Sequence, residues 1–217
     1  MTDYVSGGSR LGDVPRTTAA VGAEQVAAAL AARSRPPAGW WGMLMLIASE
    51  GALFAAFIGT FFYLRFNHAA WPPPGDPEPK VVVPLVLVAL LSSTSVLMQA
   101  AWRSARTGRL AAVRVLLVSA LLVQCGYLAY EVHSFQAELR TLPIGADAYS
   151  SSHYVLLAAD HVHVFVGILF VVWLIWKLSR GITMYRANAL QAITWYWHFV
   201  NLLTWVVTLT IISAAIR

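Results

Sequence analysis

Residues 81–102 read VVVPLVLVALLSSTSVLMQAAW, a run that contains no charged side chain. About 20 predominantly apolar residues are enough for an α-helix to cross the hydrocarbon core of a bilayer. A lone strand in the same place would leave its backbone N–H and C=O groups without hydrogen-bond partners. The run is therefore typical of a transmembrane helix.

Four more charge-poor runs lie on either side of this one. Charged side chains are costly in hydrocarbon, so the charged residues between the runs mark the ends of candidate spans. The predicted spans are approximately residues 41–64, 81–102, 110–130, 154–176 and 192–214. We therefore predict an all-α fold, a polytopic membrane bundle with five transmembrane helices within residues 39–217.

The composition of the 217-residue chain agrees with a membrane protein. It is 59% hydrophobic and only 12% charged, whereas soluble domains are roughly 25% charged, and its mean hydropathy is +0.64. A domain of this size could not keep so much apolar surface away from water, which excludes an ordinary soluble enzyme and a disordered scaffold. The single cysteine, Cys125, also excludes a disulfide framework and a cysteine-based metal site.

The distribution of Lys and Arg predicts the orientation of the chain. Most of the 15 basic residues lie in the N-terminal segment and in the connections after the second and fourth spans. Because basic residues concentrate on the cytoplasmic side, we expect a cytoplasmic N-terminus and an external C-terminus. Residues 1–38 lack a long apolar run, so we predict a partly disordered cytoplasmic arm rather than a cleaved signal peptide. The same bias explains the net charge of +5 without a nucleic-acid partner.

One carboxylate lies deep within the first predicted span. Glu50 is ten residues into the span, which corresponds to about 15 Å of helix. Such a residue either turns inward to a partner or stays protonated. Two interpretations remain open: a proton-linked or lipid-linked site, and a structural hydrogen bond that joins two helices.

Further polar residues lie in the fourth and fifth spans. Asp160 and His163 are three apart, so a helix places them on one face, and His198 and Asn201 belong to a polar stripe in the fifth span. We hypothesise that Glu50, His163, His198 and Asn201 form a polar cluster between helices, with Asp160 as a further member. The alternative is ordinary contact between membrane helices through small and hydroxyl residues. We predict no metal site, since two His two residues apart diverge on a helix.

Three segments resemble subunit III of heme–copper terminal oxidases in its five-helix form. Residues 41–50, WGMLMLIASE, resemble the Ser-Glu helix of that family, and residues 160–164, DHVHV, resemble its HGLHV helix. Residues 195–201, WYWHFVN, are similar to its WYWHFVD signature, which is the most specific of the three. Four positions differ from the family pattern: Asp160 replaces the first His of HGLH, His161 its Gly, Asn201 the last Asp of the signature, and Lys177 an arginine near a lipid phosphate.

The resemblance implies an accessory subunit, without a redox centre or catalytic residues of its own, in a proton-translocating terminal oxidase. Subunit I of such a complex carries heme and copper and reduces oxygen, and subunit II receives electrons. We expect this chain to pack on subunit I, to bind phospholipid, and to support proton uptake and stability during turnover. Lys177 and Arg186 flank the cytoplasmic ends of two spans and are the expected lipid-binding residues. The expected location is the bacterial inner (plasma) membrane.

Cytochrome c oxidase is the expected complex, and two alternatives remain. The first is the equivalent subunit of a quinol oxidase or a nitric oxide reductase, because the electron donor is determined by the partner chains. The second is of a different class, a small proton-coupled transporter that uses Glu50 and Asp160.

Overall fold

The computed structural model describes residues 38–215, which form five α-helices and no strand. All five helices are long and apolar enough to cross a membrane, which confirms the predicted all-α fold with five transmembrane helices. A short 3-10 helix, Ser213–Ala215, follows the fifth α-helix. The helices are α1 (Ala38–Asn67), α2 (Val82–Arg106), α3 (Leu110–Glu138), α4 (Ala148–Leu178) and α5 (Met184–Ile212).

Each predicted span corresponds to one helix, and each helix continues past at least one of the expected ends. Helix α4 begins at Ala148 because the Asp147 carboxylate accepts a 2.7 Å hydrogen bond from the backbone N–H of Ser150. Helix α5 begins at Met184 because the Thr183 hydroxyl caps it in the same way. Such caps satisfy backbone donors that the first turn of a helix leaves open. The predicted arm lies outside the described residues, apart from its last position.

The connections between helices give the bundle two distinct ends. The long-loop end carries residues 68–81 and 139–147, and the short-loop end carries residues 107–109 and 179–183. The Pro-rich segment of the first long loop is not helical. Its Trp71 ring packs edge-on against Phe61 of α1 and Tyr149 of α4, with centroids 5.4 and 5.2 Å away. This loop is therefore held against the helix ends.

Helices α2, α3, α4 and α5 form a closed ring, and α1 lies outside it. Helix α2 contacts α3 and α5, and α4 contacts the same two helices. Within residues 38–215, α1 contacts only α4 and α5. Helix α4 therefore has neighbours on three sides, and most of the buried ionisable groups lie along it.

Helices α4 and α5 approach each other closely at Gly167. A Cβ atom at this position would lie 2.8 Å from Cζ2 of Trp197, whose side chain is fully buried. Glycine is required here because it lets the indole ring lie directly on the α4 backbone. This contact fixes the relative positions of the two helices that carry most of the candidate site residues.

Candidate functional site

Glu50 and His163 form a direct pair between α1 and α4. His163 Nε2 lies 2.9 Å from Glu50 Oε2, and His163 Nδ1 lies 2.7 Å from the carbonyl oxygen of Ala159. A carbonyl only accepts, so Nδ1 carries a proton that it donates to Ala159. The pair can therefore hold its shared proton on Nε2, as an ion pair, or on the carboxyl group, as a neutral acid beside a neutral imidazole.

Both forms of the pair have zero net charge, which reduces the penalty of placing it in a membrane. The two side chains are mostly buried, and the ring of Phe54 packs edge-on against the His163 ring with centroids 5.0 Å apart. The geometry suits a group that accepts and returns one proton with little movement of heavy atoms.

Asp160 lies on the same helix but bonds to a different neighbour. Its Oδ1 is 2.8 Å from the hydroxyl of Thr204 on α5, and the residue is 2% exposed. The adjacent His161 faces α3, where its Nε2 lies 3.4 Å from Glu131 Oε2. One turn of α4 therefore presents ionisable groups to α1, α3 and α5.

His198 and Asn201 belong to a third location, the contact between α2 and α5. His198 Nε2 lies 3.3 Å from Gln99 Oε1, and Asn201 Nδ2 donates to Ser95 Oγ at 2.6 Å. One turn further, Trp205 Nε1 donates to the hydroxyl of Ser92 at 2.8 Å. These bonds form a ladder that joins two antiparallel helices, which is the contact role that polar stripes have in membrane bundles.

The five candidate residues thus occupy three places. The structure brings Glu50 and His163 together, whereas Asp160 bonds to Thr204, and His198 and Asn201 bond to α2. A proton-linked role for any of them stays a prediction.

Sequence reasoning did not identify two further pairs of α3 and α4. Besides His161 and Glu131, His153 Nε2 lies 3.4 Å from Glu138 Oε1. A signal was present in the spacing, because Glu131 and Glu138 are seven residues apart on α3 and His153 and His161 are eight apart on α4. Both spacings are close to two helical turns, so the two acids share one face of α3 and the two histidines share one face of α4.

The predicted lipid-binding bases lie at the short-loop end. Lys177 Nζ lies 5.4 and 5.6 Å from the ring centroids of Trp173 and Trp176. Arg186 donates from Nη1 to the carbonyl oxygen of Gly181 at 2.7 Å, which leaves its other donors available. Cations beside tryptophan rings are typical of a membrane interface.

Within residues 38–215, no group of three or more His, Cys, Asp and Glu side chains could hold a metal ion. The expectation that heme and copper belong to partner subunits stays a prediction.

Comparison with known proteins identifies the family. Residues 37–213 match the family model described as cytochrome c oxidase subunit III. The chain is 27% identical over 182 residues to cytochrome c oxidase subunit 3 of Thermostichus vulcanus, covering 81% of this chain and 87% of the relative. It is 27% identical over 179 residues to cytochrome c oxidase subunit 3 of Bacillus subtilis (80% and 83%). It is 26% identical over 174 residues to quinol oxidase subunit 3 of Bacillus spizizenii (79% and 83%). The match includes nearly all of the five transmembrane helices, and the chain therefore belongs to the cytochrome c oxidase subunit III family.

Proposed function

We propose that this chain is subunit III of a cytochrome c oxidase, packs directly on subunit I, and stabilises proton uptake without carrying electrons. Membership of the family makes it an accessory subunit of a multi-subunit heme–copper oxidase. The family match over residues 37–213 carries the proposal, and relatives named cytochrome c oxidase subunit 3 support this choice of electron donor. The similar match to a quinol oxidase subunit 3 makes quinol the second candidate donor.

Purification of the complex through an affinity tag on this chain tests the proposal. We expect the chain to bring down a larger subunit with the visible absorption of heme and a second subunit with copper, and the complex to oxidise reduced cytochrome c. Oxidation of quinol instead would favour the second candidate. A chain that purifies alone from membranes with intact oxidase would overturn the proposal.

The contribution to proton uptake is assigned to Glu50. Glu50 and His163 share one proton, and the two hydrogen bonds of the imidazole allow that proton to lie on either partner. Glu50→Gln keeps the size of the side chain but removes the exchangeable carboxyl proton. We expect this variant of the assembled oxidase to take up protons more slowly or to lose activity sooner during turnover.

The adjacent residue offers a matched control for Glu50. Ser49 donates within its own helix to the carbonyl oxygen of Leu46, so Ser49→Ala is expected to leave proton uptake unchanged. If Glu50→Gln has the same turnover and lifetime as Ser49→Ala, Glu50 is a packing residue.

Phospholipid binding is assigned to Lys177 and Arg186. Both bases lie at the short-loop end, Lys177 between two tryptophan rings, where an anionic headgroup adds about 1 kcal/mol of attraction per base. We expect Lys177→Gln with Arg186→Gln to reduce the phospholipid that copurifies with the complex, as measured by mass spectrometry. Arg103→Gln, at the same end of the bundle, is the control, and equal lipid in both preparations would contradict the assignment.

A further inference from the structure

A cavity opens at the long-loop end of the bundle, between the ends of α2, α3 and α5 and the first half of α4. Its volume is about 350 Å³, which is room for on the order of ten water molecules at about 30 Å³ each. The lining includes Lys80, Glu131, Glu138, His153, Leu157 and Asp160. This cavity is separate from the Glu50 and His163 pair, since neither residue lines it.

The ionisable groups of the cavity lie at two levels along the bundle. Glu138 and Glu131 are two turns apart on α3, and His153 and Asp160 are two turns apart on α4. Two turns correspond to about 10 Å of helix. At the outer level, Glu138 Oε1 lies 3.4 Å from His153 Nε2. The inner level contains Glu131 and Asp160.

Asp160 belongs to the inner level. The carboxyl group is almost fully buried, and its hydrogen-bond partner is the Thr204 hydroxyl. That hydroxyl has one proton and also lies 3.0 Å from the carbonyl oxygen of Val200, so it can satisfy only one acceptor at a time. The titratable groups near enough to interact electrostatically with Asp160 are Tyr127 and Glu131 of α3, His161 and His163 of α4, and Tyr196 of α5.

A second observation concerns His153 in the cavity wall. His153 lines the cavity and is only 3% exposed, yet neither of its ring nitrogens makes a hydrogen bond to the protein. Its approach to Glu138 is close enough for an ion pair but does not have hydrogen-bond geometry. Buried polar groups are nearly always hydrogen-bonded to protein or to ordered water. The His153 nitrogens are therefore unpaired polar atoms in the wall of a cavity that has room for water.

We propose that this cavity is a hydrated proton-binding site, through which the Asp160 carboxyl group exchanges its proton with the aqueous phase at the long-loop end. In the uptake direction, a hydronium ion passes its proton along the cavity water past Glu138 and Glu131. The Asp160 carboxylate becomes a neutral carboxyl group and one water molecule remains. Release is the reverse of this step. The chain would thus carry a second proton-exchanging group besides the proposed one at Glu50, on another face of α4.

Thiol labelling of the assembled oxidase in sealed vesicles tests the hydration. In a Cys125→Ser background, cysteine replaces Leu157, which lines the cavity. The control is Val155→Cys, two residues away on the surface of α4 and 47% exposed. Ala70→Cys, in the first long loop, marks the side of the membrane. A charged, membrane-impermeant thiol reagent is attacked only by the thiolate, which forms in water and not in lipid.

We expect Leu157→Cys to react from the same side as Ala70→Cys, and at least about tenfold faster than Val155→Cys, since thiolate formation is suppressed in apolar surroundings. Three results would overturn the proposal: no reaction at Leu157→Cys from either side, equal reaction at the two positions, or reaction from the opposite side only.

Infrared difference spectra of the complex at two pH values test the exchange itself. We expect a carboxyl C=O band that shifts in D2O and is absent from Asp160→Asn, but persists in Glu50→Gln. Thr204→Val is the second variant, because it keeps the carboxyl group and removes its hydrogen-bond donor, so the band should move rather than vanish. A band that is the same in all three variants, or that does not change with pH, would contradict the proposal.

Discussion

At the scale of single residues, His163 determines what its site can do. Its Nδ1 proton is engaged by the carbonyl oxygen of Ala159, so only Nε2 is available to Glu50. This fixes the direction in which the imidazole can pass a proton, because the other nitrogen belongs to the backbone of its own helix. The consequence is a close energetic coupling between α1 and α4 through one pair of side chains.

A double-mutant cycle measures this coupling. We expect the losses of stability in Glu50→Ala and His163→Ala not to add in the double variant, with a coupling energy of about 1–3 kcal/mol, as is usual for residues in direct contact. The measurement is the thermal or denaturant-induced release of the chain from the complex. A cycle of Ser49→Ala with His163→Ala is the control and should be additive. Additivity in the Glu50 cycle would mean that the two side chains do not interact.

Among the described glycines, Gly167 has the least room for a larger side chain. A methyl group there would meet the buried Trp197 ring at 2.8 Å and the Tyr196 ring at 3.2 Å. We expect Gly167→Ala to destabilise the chain by about 1–3 kcal/mol, the usual penalty of overpacking, seen as a lower Tm.

Gly126 provides a control for the glycine prediction. It lies within α3, and a Cβ there would have nothing within 4 Å. Gly126→Ala should raise the stability by about 0.5–1 kcal/mol, because alanine loses less backbone entropy in a helix. Equal effects at the two glycines would show that the α4–α5 contact is looser than the distances indicate.

At the scale of elements, two carboxyl groups connect the first long loop to the start of α4. Burial and the neighbouring Asp147 carboxylate raise the pKa of Asp76 above its usual value. Burial acts to raise the pKa of Asp147 as well, but hydrogen bonds from the Ser150 backbone and from the Asp76 carboxyl lower it below its usual value. Asp76 therefore tends to keep the proton and donate it to Asp147.

This pairing predicts a pH dependence for the loop. The contribution of Asp76 is fully present below its unfolded pKa and is lost as the pH rises through its raised folded pKa. The contribution of Asp147 is present above its unfolded pKa and is lost only as the pH falls through its lowered folded pKa. We expect amide hydrogen exchange in residues 68–81, corrected for the intrinsic rate, to be faster at neutral than at mildly acidic pH.

Asp76→Asn tests the origin of that dependence. An amide donates a hydrogen bond at every pH, so the variant should hold the loop to Asp147 equally well in both conditions. A variant that keeps the full pH dependence would place its origin elsewhere in the loop.

The helices show most clearly what the sequence predicts and what it does not. The positions of the charged residues in the sequence predict all five helices, because burying a charge in hydrocarbon is costly. They could not locate the helix ends, since Asp147 and Thr183 act as caps through local hydrogen bonds that hydrophobicity does not reveal. The hypothesis that Glu50 and His163 lie together agrees with their 2.9 Å contact, and their role stays a prediction. The partners of Asp160 and His161 depend on how α4 is rotated against α3 and α5, which is decided by packing at positions such as Gly167.

At the scale of the whole molecule, the basic residues of the short-loop end predict the orientation in the membrane. Arg103, Arg106 and Arg109 lie at or near the connection of α2 to α3, and Arg180 lies after α4. Because short connections rich in Lys and Arg stay in the cytoplasm, the C-terminal end of α5 should lie outside. We expect a C-terminal alkaline phosphatase fusion to be active and a C-terminal green fluorescent protein fusion to be dark. The reverse pattern would invert the assignment and place the Asp160 cavity on the cytoplasmic side.

Helix α1, whose contacts within the described residues are to α4 and α5 alone, is made before either of them. During synthesis it must wait in the bilayer while more than half of the chain is translated. Throughout that interval Glu50 has no imidazole beside it, and a lone carboxylate in oil is far less stable than a neutral acid. Glu50 should therefore enter the membrane already protonated. Only the insertion of α4 brings a second group, His163, that can accept this proton.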